Sequence, residues 1–137
     1  MSHVVLLDNE AVQALADTSH PKHRRVLSHV QVVAQRTRRA VPIRLVVPTS
    51  VRVEAGWDRT AARWAFPNRL RITDGELDTA HADTAAAIRH RTGVSVADAH
   101  LGAAMASAVP DRVTVITSDP DDMRVVAGDT KITVVTI

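Results

Sequence analysis

At 137 residues the chain has the length of one domain; 45% of it is apolar, 23% is charged, and it contains no cysteine. That composition suits a soluble globular protein and excludes disulfides, thiolate metal sites and cysteine nucleophiles. The net charge of +2 conceals an imbalance: residues 1–72 sum to +7 and residues 73–137 to −5, as a polyanion-binding surface beside a cation site would require.

Taken in chain order, Val4–Leu7 is a short apolar run that reads as a buried strand. Asp8-Asn9 offers an N-cap for a helix to about Asp17, and Pro21 opens a second helix that carries many basic groups and is expected to reach Arg39. Ile43–Val47 is the second strand, and Pro48-Thr49-Ser50 starts a helix expected to pass through Glu54 and Trp57 to Phe66. Arg69–Ile72 is a short third strand. A helix from Glu76 to His90 stops before Gly93, and Ser95 opens another through Val109. Val113–Thr117 is a β-branched strand, Asp119-Pro120 starts a short helix, and Ile132–Ile137 is the last strand.

Alternating strands and helices predict an α/β fold: three α/β/α layers around a mostly parallel sheet, in one domain over residues 1–137. No repeat or linker interrupts it. No apolar stretch approaches the ~20 residues needed to cross a bilayer. The N-terminus has no basic leader, so a cytoplasmic protein with no membrane contact is expected.

Four acids stand out: Asp8 and Asp119 directly after strands, and Glu54 and Asp98 near helix starts. Each has an ordinary explanation. Asp8 and Asp119 can cap helices, Ser95–Asp98 has the form of a capping box, Asp121 and Asp122 suit a helix first turn, and Glu54 could pair with Arg52 or Arg59. Together they say more, because positions after parallel strands meet at one edge of the sheet, where α/β proteins bind ligands. Carboxylates gathered there repel one another unless a cation compensates, and a set of oxygen donors suits Mg²⁺ or Mn²⁺.

The stretches Val4–Asp8, Pro48–Arg59 with Glu54, Ser95–Ala104 with Asp98, and Val115–Asp122 resemble, in order and spacing, the PIN-domain ribonucleases, most closely the VapC toxins of toxin–antitoxin pairs. The resemblance covers essentially the whole chain. It implies a metal-dependent endoribonuclease with Asp8, Glu54, Asp98 and Asp119 as catalytic acids, and Asp8, Asp98 and Asp119 holding Mg²⁺, for which Mn²⁺ can substitute. Thr117 or Ser118 matches the family's hydroxyl beside the fourth acid, and Asp121, ahead of Asp122, matches an additional acid. Asn9 departs from the pattern by making the first loop more polar. The implied partners are RNA, a VapB-type antitoxin and a second copy of the chain.

Arg24, Arg25, Arg38, Arg39, Arg52 and Arg59 are candidates for the RNA backbone. Histidines are assigned no catalytic or metal role, and Trp57, Trp64 and Phe66 are assigned to packing. A receiver domain would need a phosphoacceptor Asp after a middle strand and a Lys after the last major one, whereas Lys131 precedes the final strand, and a haloacid-dehalogenase-like phosphatase would need Asp-x-Asp where this chain has Asp8-Asn9-Glu10. The remaining alternative is a PIN-like module that binds RNA or protein without cutting.

Overall fold

The computed structural model describes residues 2–36 and 42–137. Its five strands are β1 (His3–Leu7), β2 (Ile43–Pro48), β3 (Thr73–Gly75), β4 (Arg112–Thr117) and β5 (Thr133–Thr136). They form one sheet in the order β3-β2-β1-β4-β5, and every pairing is parallel. Leu6 pairs with Val46 on one side and Val115 on the other, so β1 lies at the centre. The continuous apolar runs of β1, β2 and β4 follow from burial on both faces, whereas the edge strands β3 and β5 are short and partly exposed.

The helices are α1 (Asn9–Ala16), α2 (His23–Arg36), α3 (Thr49–Ala55), α4 (Ala65–Asn68), α5 (Thr79–Thr92), α6 (Val96–Ala108) and α7 (Pro120–Ala127). One group, α1 with α2, and another, α5 with α6 and α7, cover the sheet, while α3 touches both α1 and α6. The expected three-layer architecture is found, with a sheet that is wholly parallel. Gly102 lets α6 approach α7 closely: a Cβ there would lie 2.7 Å from the Val126 carbonyl oxygen and 2.8 Å from Ile88 Cδ1.

Three boundaries differ from expectation. The helix expected to run from Pro48 to Phe66 stops at Ala55, because Gly56 takes φ 74° and ends α3; a 3-10 turn (Ala62–Trp64) and α4 follow separately. The third strand is Thr73–Gly75 rather than Arg69–Ile72, since Val46 and Val47 pair with Thr73 and Asp74 and leave Ile72 buried just ahead of the strand. The helix expected from Glu76 starts at Thr79, because Asp78 is the residue whose side chain caps it.

Candidate functional site

The chain proceeds from β1 outward to β2 and β3, then returns to place β4 on the other flank of β1. The carboxyl ends of β1 and β4 therefore bound the crevice where the strand order reverses. Asp8 follows β1 and Asp119 lies two residues beyond β4. The two ends are tied together: the Asp8 N–H donates to the Ile116 carbonyl at 3.3 Å, and the Thr117 hydroxyl oxygen accepts the Asp119 N–H at 2.9 Å.

Asp8 is 6% exposed and caps α1, with Oδ1 accepting the Ala11 N–H at 2.9 Å. Burial pushes its carboxyl pKa up; hydrogen bonds from the Thr117 hydroxyl and the Ala11 and Ser118 N–H groups act against that rise, and the charge of Glu10 adds to it. Thr117 thus contributes through its side chain and Ser118 through its backbone.

Asp98 lies in the first turn of α6, beyond the Ser95 cap, whose Oγ accepts the Asp98 N–H at 3.1 Å. Its carboxyl is pushed up to about 6, first by burial and then by the charges of Glu54, Asp122 and Asp8. Acids from α3, α6, α7 and the end of β1 therefore share one electrostatic field. Glu54 is solvent-exposed beside a groove of ≈ 260 Å³ lined by Ser50, Val53, Glu54, Val96 and Ala97.

Asp119 caps α7, accepting the Asp122 N–H at 3.4 Å, and Asp122 is raised by a carboxyl–carboxyl hydrogen bond to Asp119 and by its charge. The structure thus brings Asp122 toward Asp98. Asp121 points away: its side chain is 95% exposed and sits 3.6 Å from Arg124. Helix geometry explains the exchange, since the third helical residue turns back toward the cap and the second does not.

The arginines divide. Arg24 and Arg25 are exposed on α2, whereas Arg38 and Arg39 lie outside the described residues. Arg52 and Arg59 are occupied elsewhere. Arg52 Nη1 reaches Asp74 Oδ2 at 2.9 Å, and Arg59 Nη2 reaches Asp74 Oδ1 at 2.8 Å. Arg59 also lies over the Trp57 ring, 4.6 Å from its centroid. Glu54 therefore pairs with neither. Trp57 and Trp64 are buried and stacked at 5.5 Å, in keeping with a packing role.

Sequence reading passed over two arrangements. Asp74, the hub of that arginine clamp, lies in an edge strand that the sequence places at Arg69–Ile72 instead, so nothing local signals it. Asp78, His81 and Ser107 form a hydrogen-bonded row, 2.7 Å from Asp78 Oδ1 to His81 Nδ1 and 2.9 Å from His81 Nε2 to Ser107 Oγ. Ser107 lies near the carboxyl end of α6 and its hydroxyl donates to the Ala104 carbonyl. A helix C-terminus disfavours a developing oxyanion, so the row is a strut between α5 and α6.

Among the described residues, no three His, Asp or Glu side chains form a finished metal shell. The donors nevertheless have the chemistry that a hydrated hard cation uses. They are all oxygens, and no Lys or Arg among the described residues forms an ion pair with Asp8, Glu54, Asp98 or Asp119. Mg²⁺ needs only one or two direct carboxylates, with water completing its shell.

No protein-family profile matches the chain, and no curated protein matches it. A solved structure does: VapBC2 from Rickettsia felis bound to a DNA fragment from their promoter, at 9% identity, covering 98% of each chain with a TM-score of 0.60. The chain has a PIN-like α/β fold. At that identity the likeness is one of architecture. No helix among the described residues is long and apolar enough to cross a membrane.

Proposed function

We propose that the chain is a Mg²⁺- or Mn²⁺-dependent endoribonuclease, the toxin of a VapBC-type pair with a VapB-like antitoxin as its partner. The observation that carries this reading is the shared field of Asp8, Glu54, Asp98 and Asp122 at the switch point of a PIN-like sheet. Asp8, Asp98 and Asp119 would hold the cation, directly or through water. A bound divalent cation supplies Lewis acidity toward water and toward a phosphoryl oxygen. Glu54, exposed at the rim, orients the attacking water and can take its proton. Thr117 and the Ser118 N–H keep the Asp8 carboxylate aimed.

Arg24 and Arg25 offer sequence-independent contacts to phosphates, so RNA binding should weaken with salt. The likeness to a VapBC2 complex supports an antitoxin partner, and dimerisation of the chain is part of the same reading.

The test is to strip the protein of metal, add total RNA, restore Mg²⁺ or Mn²⁺ and sequence the cut ends. Cleavage should require the metal and fall at least about 100-fold in Asp98→Asn. The lack of a finished three-residue shell among the described residues favours a second reading, a silent module that binds RNA or protein. RNA retained but uncut by wild type in either metal would establish that reading instead.

A further inference from the structure

Helix α3 carries Glu54 but has only 7 residues, too few to hold its place alone. Its N-cap is Pro48, which offers no side-chain acceptor, so the free N–H groups of its first turn need partners from elsewhere. One comes from another helix. His100 Nδ1, on α6, accepts the Ser50 N–H at 3.4 Å and lies 3.0 Å from Ser50 Oγ.

A ring nitrogen that accepts an amide proton carries none itself. The Ser50 hydroxyl must then donate to it as well, and the imidazole proton sits on Nε2. His100 is completely buried, so the ring is held in one orientation by what surrounds it. Nε2 is buried without a well-formed hydrogen bond, although the Glu76 carbonyl nearby favours a ring proton.

The other ties of α3 lead away from Asp98. Arg52 binds Asp74 on β3, Gln13 on α1 donates to the Ala55 carbonyl at 3.4 Å, and Thr49 Oγ1 accepts the Leu77 N–H at 3.3 Å. Among the described residues, the side-chain hydrogen bonds between α3 and α6 are those of Ser50 with His100. Ser50 and Glu54 are one helical turn apart and share a face.

We infer that His100 is a positioning residue: by capping α3 from α6 it sets the distance between Glu54 and Asp98. Its consequence for rate rests on the nuclease reading; its geometric half does not. Removing the imidazole frees the N-terminus of α3 to move and carries Glu54 with it. Asn at position 100 can return an acceptor oxygen near the place of Nδ1, whereas Ala cannot.

Two readouts test this. The chain has no cysteine, so Val53→Cys and Val96→Cys, at exposed sites on α3 and α6, accept a nitroxide pair that reports the gap between the helices. The distance distribution should broaden in His100→Ala and narrow again in His100→Asn. In unlabelled protein, His100→Ala should lower kcat about tenfold with KM held within about twofold, and His100→Asn should recover most of the loss. Introduced into Glu54→Gln, His100→Ala should cost nothing further. An unchanged interspin distance in folded His100→Ala protein overturns the inference, as does a kcat loss that persists undiminished in Glu54→Gln. If wild type cuts no RNA, the nuclease reading fails by itself, and the interspin distances still decide where His100 holds α3.

Discussion

Two clusters of charge lie at the carboxyl edge of this sheet, and they are built in opposite ways. At the end of β3, one carboxylate, Asp74, is gripped by two guanidinium groups, Arg52 and Arg59, which also bind the Trp57 and Ile72 carbonyls. Around the ends of β1 and β4, the charges of Glu54, Asp122 and Asp8 act on Asp98, and burial together with that repulsion raises it. In the first cluster every charge is paired within the chain, and the pairing fixes the path that follows α3. The second gathers acids that no Lys or Arg among the described residues pairs with, as the proposed cation site would need. Asp74 thus serves stability, while the acids of the proposed cation site are separate from it.

The largest effect on stability is expected where charge is paired. Asp74→Ala removes both ion pairs and leaves two partly buried guanidiniums facing each other, and should destabilise by about 3 kcal/mol in urea unfolding. A loss near zero would mean that the clamp is an exposed decoration. The acid cluster should respond to metal instead. Mg²⁺ at about a hundredfold above its Kd should stabilise the wild-type chain by about 2.7 kcal/mol, and Asp98→Asn should lose most of that gain. An equal rise in melting temperature for both proteins would place the ion elsewhere.

Much of this contrast could be read from the sequence. The run Val4–Leu7 reads as a buried strand, and Thr117–Asp122 contains a strand end, a cap and a first-turn proline in order, so Asp8 and Asp119 could be expected at one edge of the sheet. For Glu54 and Asp98 that expectation comes only from the resemblance to PIN domains. What stayed hidden depends on long-range geometry. That Arg52 and Arg59 turn to Asp74 rather than Glu54 follows from Gly56, which ends α3 and sends Trp57 and Arg59 toward β3; a glycine in a helical pattern does not announce whether it stops the helix. Asp122 outranks Asp121 because of a helical phase that holds only if α7 begins at Pro120. The Ser50–His100 bond joins residues fifty positions apart and has no local signature.

The same substitution that disables the proposed site should also steady the fold. Asp98→Asn removes a charge repelled by Glu54, Asp122 and Asp8, so metal-free variant protein should be more stable than wild type near neutral pH by about 1 kcal/mol, screening at this half-buried position having reduced the gain. Asp74→Asn should move stability in the other direction. If both variants destabilise alike, the two clusters are not built differently.

The smallest effect is the pH dependence of that gain, and its sign is fixed. Asp98 titrates at about 6 in the folded chain against 3.8 for an ordinary aspartate. Between those values the folded chain holds a proton that the unfolded chain has lost, so this group makes stability fall as pH rises through the window and adds no further slope above it. Burial raises Asp8 in the same sense. His100 acts oppositely, because its folded pKa lies below the ordinary 6.5: the unfolded chain takes up a proton first as pH drops, and stability is lost. The total curve therefore mixes both trends, and the quantity to follow is the difference between Asp98→Asn and wild type, measured in chelator. That difference should grow from near zero at about pH 4 to its full value above about pH 6, and Mg²⁺, by offsetting the Asp98 charge in wild type alone, should reduce it. A difference that is flat across the window would show that Asp98 carries no excess repulsion, and with it the contrast between the two clusters would fall.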